Sequence, residues 1–223
     1  MFVRRFLNER IDFIQQLYET STAPYRERKK LIEAQEEPYV PPYNEDEEPA
    51  FLKEWLEANE SILVIGCVCV SMLSAAFQLY FRTWEKRLNT PVDDELKKTV
   101  FKESGWLKGY MAYFSKYFKI DFTELPADLE ILQELILLRN RTQHPEALTD
   151  NLPSFSKSDL EKHPRPFFVD ERDYEILTEV NAQDQSWLIP PSFTVTAEKL
   201  IKAIVEVQRF SDWLEGADAN TPA

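Results

Sequence analysis

Glycine, cysteine and histidine are scarce in this chain, and each scarcity removes a class of chemistry. Four glycines among 223 residues cannot build a phosphate-cradling loop, and no Gly-x-Ser-x-Gly nucleophile turn is present. The two cysteines, Cys67 and Cys69, fall in one apolar run. On a helix they would stand about 200° apart, so they can neither bridge each other nor share a metal. A disulfide scaffold is thereby excluded, and a reducing, cytoplasmic compartment is expected. The two histidines, His144 and His163, have no cysteine or second histidine beside them, so neither a metal site nor a cofactor is expected.

Positive charge is also in short supply: 26 Lys and Arg face 39 Asp and Glu, a net charge of −13. Its distribution says more than its total. Residues 1–32 hold seven basic and four acidic side chains, residues 33–60 one and ten, residues 61–144 eleven and ten, and residues 145–223 seven and fifteen. A near-neutral middle thus lies between two acidic flanks. Duplex DNA is a poor partner for such a chain, because non-specific affinity comes from phosphate neutralisation by a basic face. A local phosphate site remains open.

What is abundant is apolar material, at 43% of residues with 13% aromatic, which is enough for a folded core. The start, Met1-Phe2-Val3-Arg4-Arg5, meets Asn8-Glu9-Arg10 before any apolar run and does not read as a secretory signal. Residues 61–81 carry no charge and are long enough to span a bilayer. Ser71, Ser74, Gln78 and Arg82 recur at three and four within or just past that run, and charged helical sequence continues on both sides. A buried core helix is therefore expected there, and no membrane partner.

Helical periodicity dominates the rest. Phe6, Phe13 and Leu17, with Val3, Leu7, Ile14 and Tyr18, predict an amphipathic helix over 2–19, and Thr20-Ser21-Thr22 before Pro24 predicts a break and a second helix to about Glu36. Residues 37–50, rich in proline and acid, form a connection. From Phe51 to about Leu88 one very long helix, or two stacked, is expected, stopped by Asn89-Thr90-Pro91. Asp93, Asp94 and Glu95 open a new helix, Gly105 breaks it, and Trp106, Leu107, Tyr110, Met111, Phe114 and Phe118 line the next. Leu125-Pro126 leads into a helix with Leu129, Leu132, Leu135, Ile136 and Leu138 apolar, ending at Arg139–Pro145. Beyond it lie loop, a short strand at Phe167-Phe168-Val169, a short helix around Tyr174, Leu177 and Val180, and alternation at Phe193 and Val195. Thr196 caps a last helix with Leu200, Ile204, Val207, Phe210 and Leu214 in register. The fold class is all-α, a helical bundle, with room for a minor β element in the C-terminal third. The plan is 1–36 as N-terminal helices, 37–50 as connection, 51–215 as the main helical domain and 216–223 as a tail, compact as one domain overall.

One constellation carries chemistry. Arg139 and His144 lie five residues apart at the end of an apolar helix, about 140° apart if that helix continued. Pro145 prevents this by pushing the residue before it out of the helical region, which makes His144 a cap whose ring can swing back toward Arg139 and Gln143. Arg139 could then hold a phosphate by paired hydrogen bonds while His144 moves protons, and Asn140 orients the ring or the substrate. That set suits RNA cleavage without a metal: a base takes the 2′-hydroxyl proton, the oxygen attacks the adjacent phosphorus, and a guanidinium stabilises the added charge. A plain cap at His144, with Arg139 and Arg141 favoured by the helix dipole, fits the same residues.

Leu137-Leu138-Arg139-Asn140-Arg141-Thr142-Gln143-His144 resembles the signature of the HEPN superfamily, an Arg, a polar residue and a His four to six positions after the Arg at the end of a core helix. The run ending in Phe81-Arg82-Thr83-Trp84-Glu85 and the Gly105-Trp106-Leu107-Lys108-Gly109-Tyr110 helix resemble the same proteins, over roughly residues 51–145. The resemblance implies an all-helical fold, a homodimer with two motifs in one cleft, and an active site of Arg139, His144 and Asn140. It also implies a metal-independent ribonuclease of a toxin–antitoxin, phage-defence or stress system, with RNA as substrate and an antitoxin or regulatory protein as partner. A non-catalytic helical module for dimerisation or nucleotide sensing stands as the alternative.

Overall fold

A computed structural model describes residues 3–42, 49–144, 151–173 and 191–218. Its helices are α1 (Val3–Ala34), α2 (Leu52–Leu88), α3 (Asp94–Leu96), α4 (Lys102–Phe118), α5 (Leu129–Gln143), α6 (Lys157–Lys162) and α7 (Ala197–Asp218), with a π-helical stretch Lys97–Phe101 between α3 and α4. The fold is all-α. Among the described residues there is no strand. The β element expected of the C-terminal third reduces to one isolated antiparallel bridge, Ser154 to Ser192. Phe168, Phe193 and Val195 are buried without forming strands. The helix expected around Tyr174 to Val180 lies outside the described residues.

The uncharged run of α2 organises the rest. Val70, Leu73, Phe77 and Phe81 are fully buried, and helices α1, α4, α5 and α7 all pack on α2. Phe77 meets Phe210 of α7 edge-on at 5.3 Å, and Phe81 stacks on Tyr110 of α4 at 5.1 Å between ring centroids. Edge-on and stacked pairs of this kind add to the gain from apolar burial. By length and composition α2 is also able to cross a membrane, and 44% of its most apolar window is buried. The polar stripe read from the sequence does not form the solvent face, because Ser74 is buried. The open side carries Val68, Ala75 and Leu79 instead. Burial pushes the Cys67 thiol up to about 12 and the Cys69 thiol up to about 11, and both remain free.

Helix α1 runs unbroken through Pro24, where a break was expected. A helical proline removes one donor and leaves the carbonyls near it to other partners. Here the Thr22 hydroxyl donates to the Tyr18 carbonyl at 2.7 Å, and the Arg26 guanidinium donates to the Glu19 carbonyl at 3.3 Å and to Thr22 Oγ1 at 2.6 Å. Val3, Leu7, Ile11, Ile14, Tyr18 and Thr22 form the buried stripe, with packing on α2 along the helix. Phe6 and Phe13, grouped with that stripe in the sequence, face outward.

The other helix boundaries follow local chemistry. Asp93 caps α3 by accepting the Leu96 N–H at 2.7 Å. Gly105 takes φ +80° and kinks α4, a backbone that an L side chain would strain. Asp128 caps α5 with Oδ1 to the Glu130 and Ile131 amides, and its own N–H donates to the buried carboxylate of Glu206 at 2.9 Å. Lys202 and Arg209 complete that site at 2.8 and 2.9 Å, so α7 fixes where α5 starts.

At Gly66 an added Cβ would lie 2.6 Å from the Val195 carbonyl oxygen and 2.7 Å from its Cβ. Alanine favours helix by roughly 1 kcal/mol over glycine, but this clash is with backbone that cannot move cheaply. Gly66→Ala is expected to lower stability by about 1–3 kcal/mol in urea titration.

Candidate functional site at the end of α5

The last turns of α5 hold two arginines with opposite fates. Arg141 turns toward α6, where its Nη2 lies 2.6 Å from Asp159 Oδ2 in a pair whose side chains are 22% and 8% exposed. Asp159 is also fixed by a capping box: its carboxylate accepts the Ser156 N–H at 2.8 Å while its own N–H donates to the Ser156 hydroxyl at 3.2 Å. Arg139 is half-buried, and its Nη1 donates to Asn140 Oδ1 at 3.0 Å.

His144 sits where Pro145 directs it, as the C-cap of α5 at φ −129°, ψ 67°, exposed, with its N–H donating to the Asn140 carbonyl at 3.1 Å. Asn140 thus touches both partners, the guanidinium through its side chain and the His144 backbone through its carbonyl. Among the described residues neither the Arg139 guanidinium nor the His144 ring is tied to a carboxylate. Thr142 donates to the Leu138 carbonyl at 2.9 Å. Arg139, Asn140 and His144 share the last turns of α5, with Asn140 bonded to the Arg139 guanidinium through its side chain and to His144 only through the backbone bond of the helix, while Arg141 turns away, as the 200° step between the two arginines requires. Among the described residues no three Cys, His, Asp or Glu side chains come together as a metal site.

Below this end lies a site the sequence reading missed. Glu134 is 2% exposed, yet its carboxylate accepts the Phe167 N–H at 2.9 and 2.8 Å and the Phe168 N–H at 3.2 Å. His163 Nδ1 lies 3.9 Å from Glu134 Oε1, and Lys199 donates to the Val169 carbonyl. Burial pushes Glu134 up to about 7, against the pull of the two amides, and burial holds His163 and Lys199 below their ordinary values. The signal was present: Glu134 falls between Ile131, Leu135 and Leu138 on the buried face of α5. It clamps the 163–170 segment onto the helix that carries Arg139.

No family model, curated protein or solved structure matches this chain. The reading of the site rests on its own geometry.

Two consequences are measurable. Arg141→Ala strands Asp159 without its guanidinium and should cost roughly 1–3 kcal/mol in denaturant melts, whereas Arg139→Ala, at an exposed bond, should change stability little. Glu134 is held above its unfolded value of 4.5, so its contribution to stability is fully present below pH 4.5 and is lost as pH rises toward 7. Glu134→Gln keeps an acceptor without the charge. Melts at pH 4.5 and 7.5 should show the variant gaining on the wild type by on the order of 2 kcal/mol as pH rises.

Proposed function

We propose that this protein is a cytoplasmic, metal-independent RNA endonuclease of HEPN type, with Arg139, Asn140 and His144 as its reacting set. The observation that carries this reading is the contrast at the end of α5: Arg141 is held by Asp159, while among the described residues neither the Arg139 guanidinium nor the ring of the off-helix, exposed His144 is tied to a carboxylate.

In this reading the neutral His144 ring takes the proton from a ribose 2′-hydroxyl, and that oxygen attacks the adjacent phosphorus. The Arg139 guanidinium shares the charge that builds on the phosphoryl oxygens. The bond to the 5′-oxygen breaks, the imidazolium returns its proton to that leaving oxygen, and a 2′,3′-cyclic phosphate remains. Pairing as a homodimer through the α5 ends would set two such pairs around one phosphate, since an isologous contact places the same helix end opposite itself. Restraint by an antitoxin or other regulatory protein belongs to the same reading.

Total RNA incubated in EDTA is the test. Wild type should leave 2′,3′-cyclic phosphate ends, and Arg139→Ala and His144→Ala should each reduce cleavage by about a hundredfold or more with little change in melting. Arg141→Ala should cleave at the wild-type rate under conditions where it remains folded. No cleavage by well-folded wild type would favour the non-catalytic dimerisation or nucleotide-sensing module.

A further inference from the structure

The exposed apolar residues of α1 and α2 are not scattered. Phe6 and Phe13, 44% and 57% exposed, stand two turns apart on α1, and Leu79, 42% exposed, faces them from α2. Between the two helices lies an open groove of about 740 Å³, floored by Leu7, Ala76 and Tyr80. A continuous apolar trough of this kind on a chain with an excess of acid marks a contact surface.

The charges around it have the opposite sign to the chain. Arg10, Lys86 and Arg87 line the groove, and its one carboxylate, Glu9, is held by Arg5 at 3.0 Å. Arg87 lies over the Trp84 ring at 5.0 Å, which fixes its position at the rim. The protein as a whole carries −13. A basic rim does not suit a second copy of itself, since a two-fold contact would bring like rims together. The trough is concave between two packed helices, a shape that accepts the apolar face of a third.

We propose that this groove docks an amphipathic helix of a partner protein, with apolar anchors spaced i, i+4 and i+7 between the ridges of Phe6/Phe13 and Leu79, and with acidic flanks facing Arg10, Lys86 and Arg87. Seven residues separate Phe6 from Phe13, about 10.5 Å along α1, which matches the span from the first anchor to the third. The site is separate from the end of α5. Among the described residues, none of α5 lines the groove. The proposal stands whether or not the chain cleaves RNA.

The test uses the full chain and synthetic 18-residue helical peptides with leucine anchors at that spacing, one with glutamate flanks and one with lysine flanks, followed by fluorescence anisotropy. The glutamate-flanked peptide should bind at least tenfold tighter. Phe13→Ser should weaken it at least tenfold, and Lys86→Glu should weaken it at least fivefold while improving the lysine-flanked peptide. Both positions are exposed, so both variants should melt with the wild type. Equal affinity for the two peptides, or no binding of either, overturns the proposal. So does Phe13-dependent capture by phosphatidylserine vesicles in preference to the peptide, which would assign the groove to lipid. Conversion of a dimer to a monomer by Phe13→Ser would assign it to a second copy.

Discussion

A helix as apolar as α2 cannot stand in water, and the fold is the set of elements that cover it. Helix α1 lies along one flank, α5 and α7 cover others, and α4 closes the C-terminal end with aromatic rings. Each covering helix brings an apolar stripe of ordinary helical spacing, and each buries it against the same central element. Among the described residues, no helix covers the side of α2 bearing Val68, Ala75 and Leu79.

Apolar contact alone would leave these helices free to slide, and the positions are set by buried acids. Glu206 receives the first amide before α5 and two cations of α7. Glu134 gathers two amides of the 163–170 segment, and Asp159 joins α6 to Arg141. A buried carboxylate is costly without partners and directional with them, so each of the three fixes one junction of the bundle. Two of these junctions lie on α5 beside the Arg139–His144 end. The Arg139–His144 end thus belongs to a helix tied at its start by Glu206 and near its end by Asp159.

The sequence was most legible where the cause is local. Asn89-Thr90-Pro91, Asp93, Gly105 and Pro145 each act on their own backbone, and the helices stop, cap or kink at those points. The off-helix placement of His144 follows from Pro145 by the same logic. Pro24 was misread because one lost donor is outweighed by the packing of the whole helix on α2, which no local pattern reports. Phe6 and Phe13 share a period with the true core stripe, and periodicity cannot say which of two neighbouring stripes faces inward. The roles of Glu134, Asp159 and Glu206 leave no mark in a local pattern, because Phe167, Arg141 and Asp128 reach them from distant parts of the chain. The fate of Arg141 depends on a residue eighteen positions away.

Gly66 makes a different point about α2. Smooth aliphatic surfaces are tolerant, and a helix clad in leucine, isoleucine and valine can pack in several registers at similar energy. At Gly66 the backbone of Val195 comes closer to the α2 axis than any side chain would permit. Only one residue of α2 can sit beneath that crossing, so a slip of the helix by a turn in either direction would set Ile62 or Val70 against the Val195 carbonyl. The smallest side chain in the core therefore works as an index mark: it adds almost nothing to cohesion and selects one alignment of α2 against the C-terminal third.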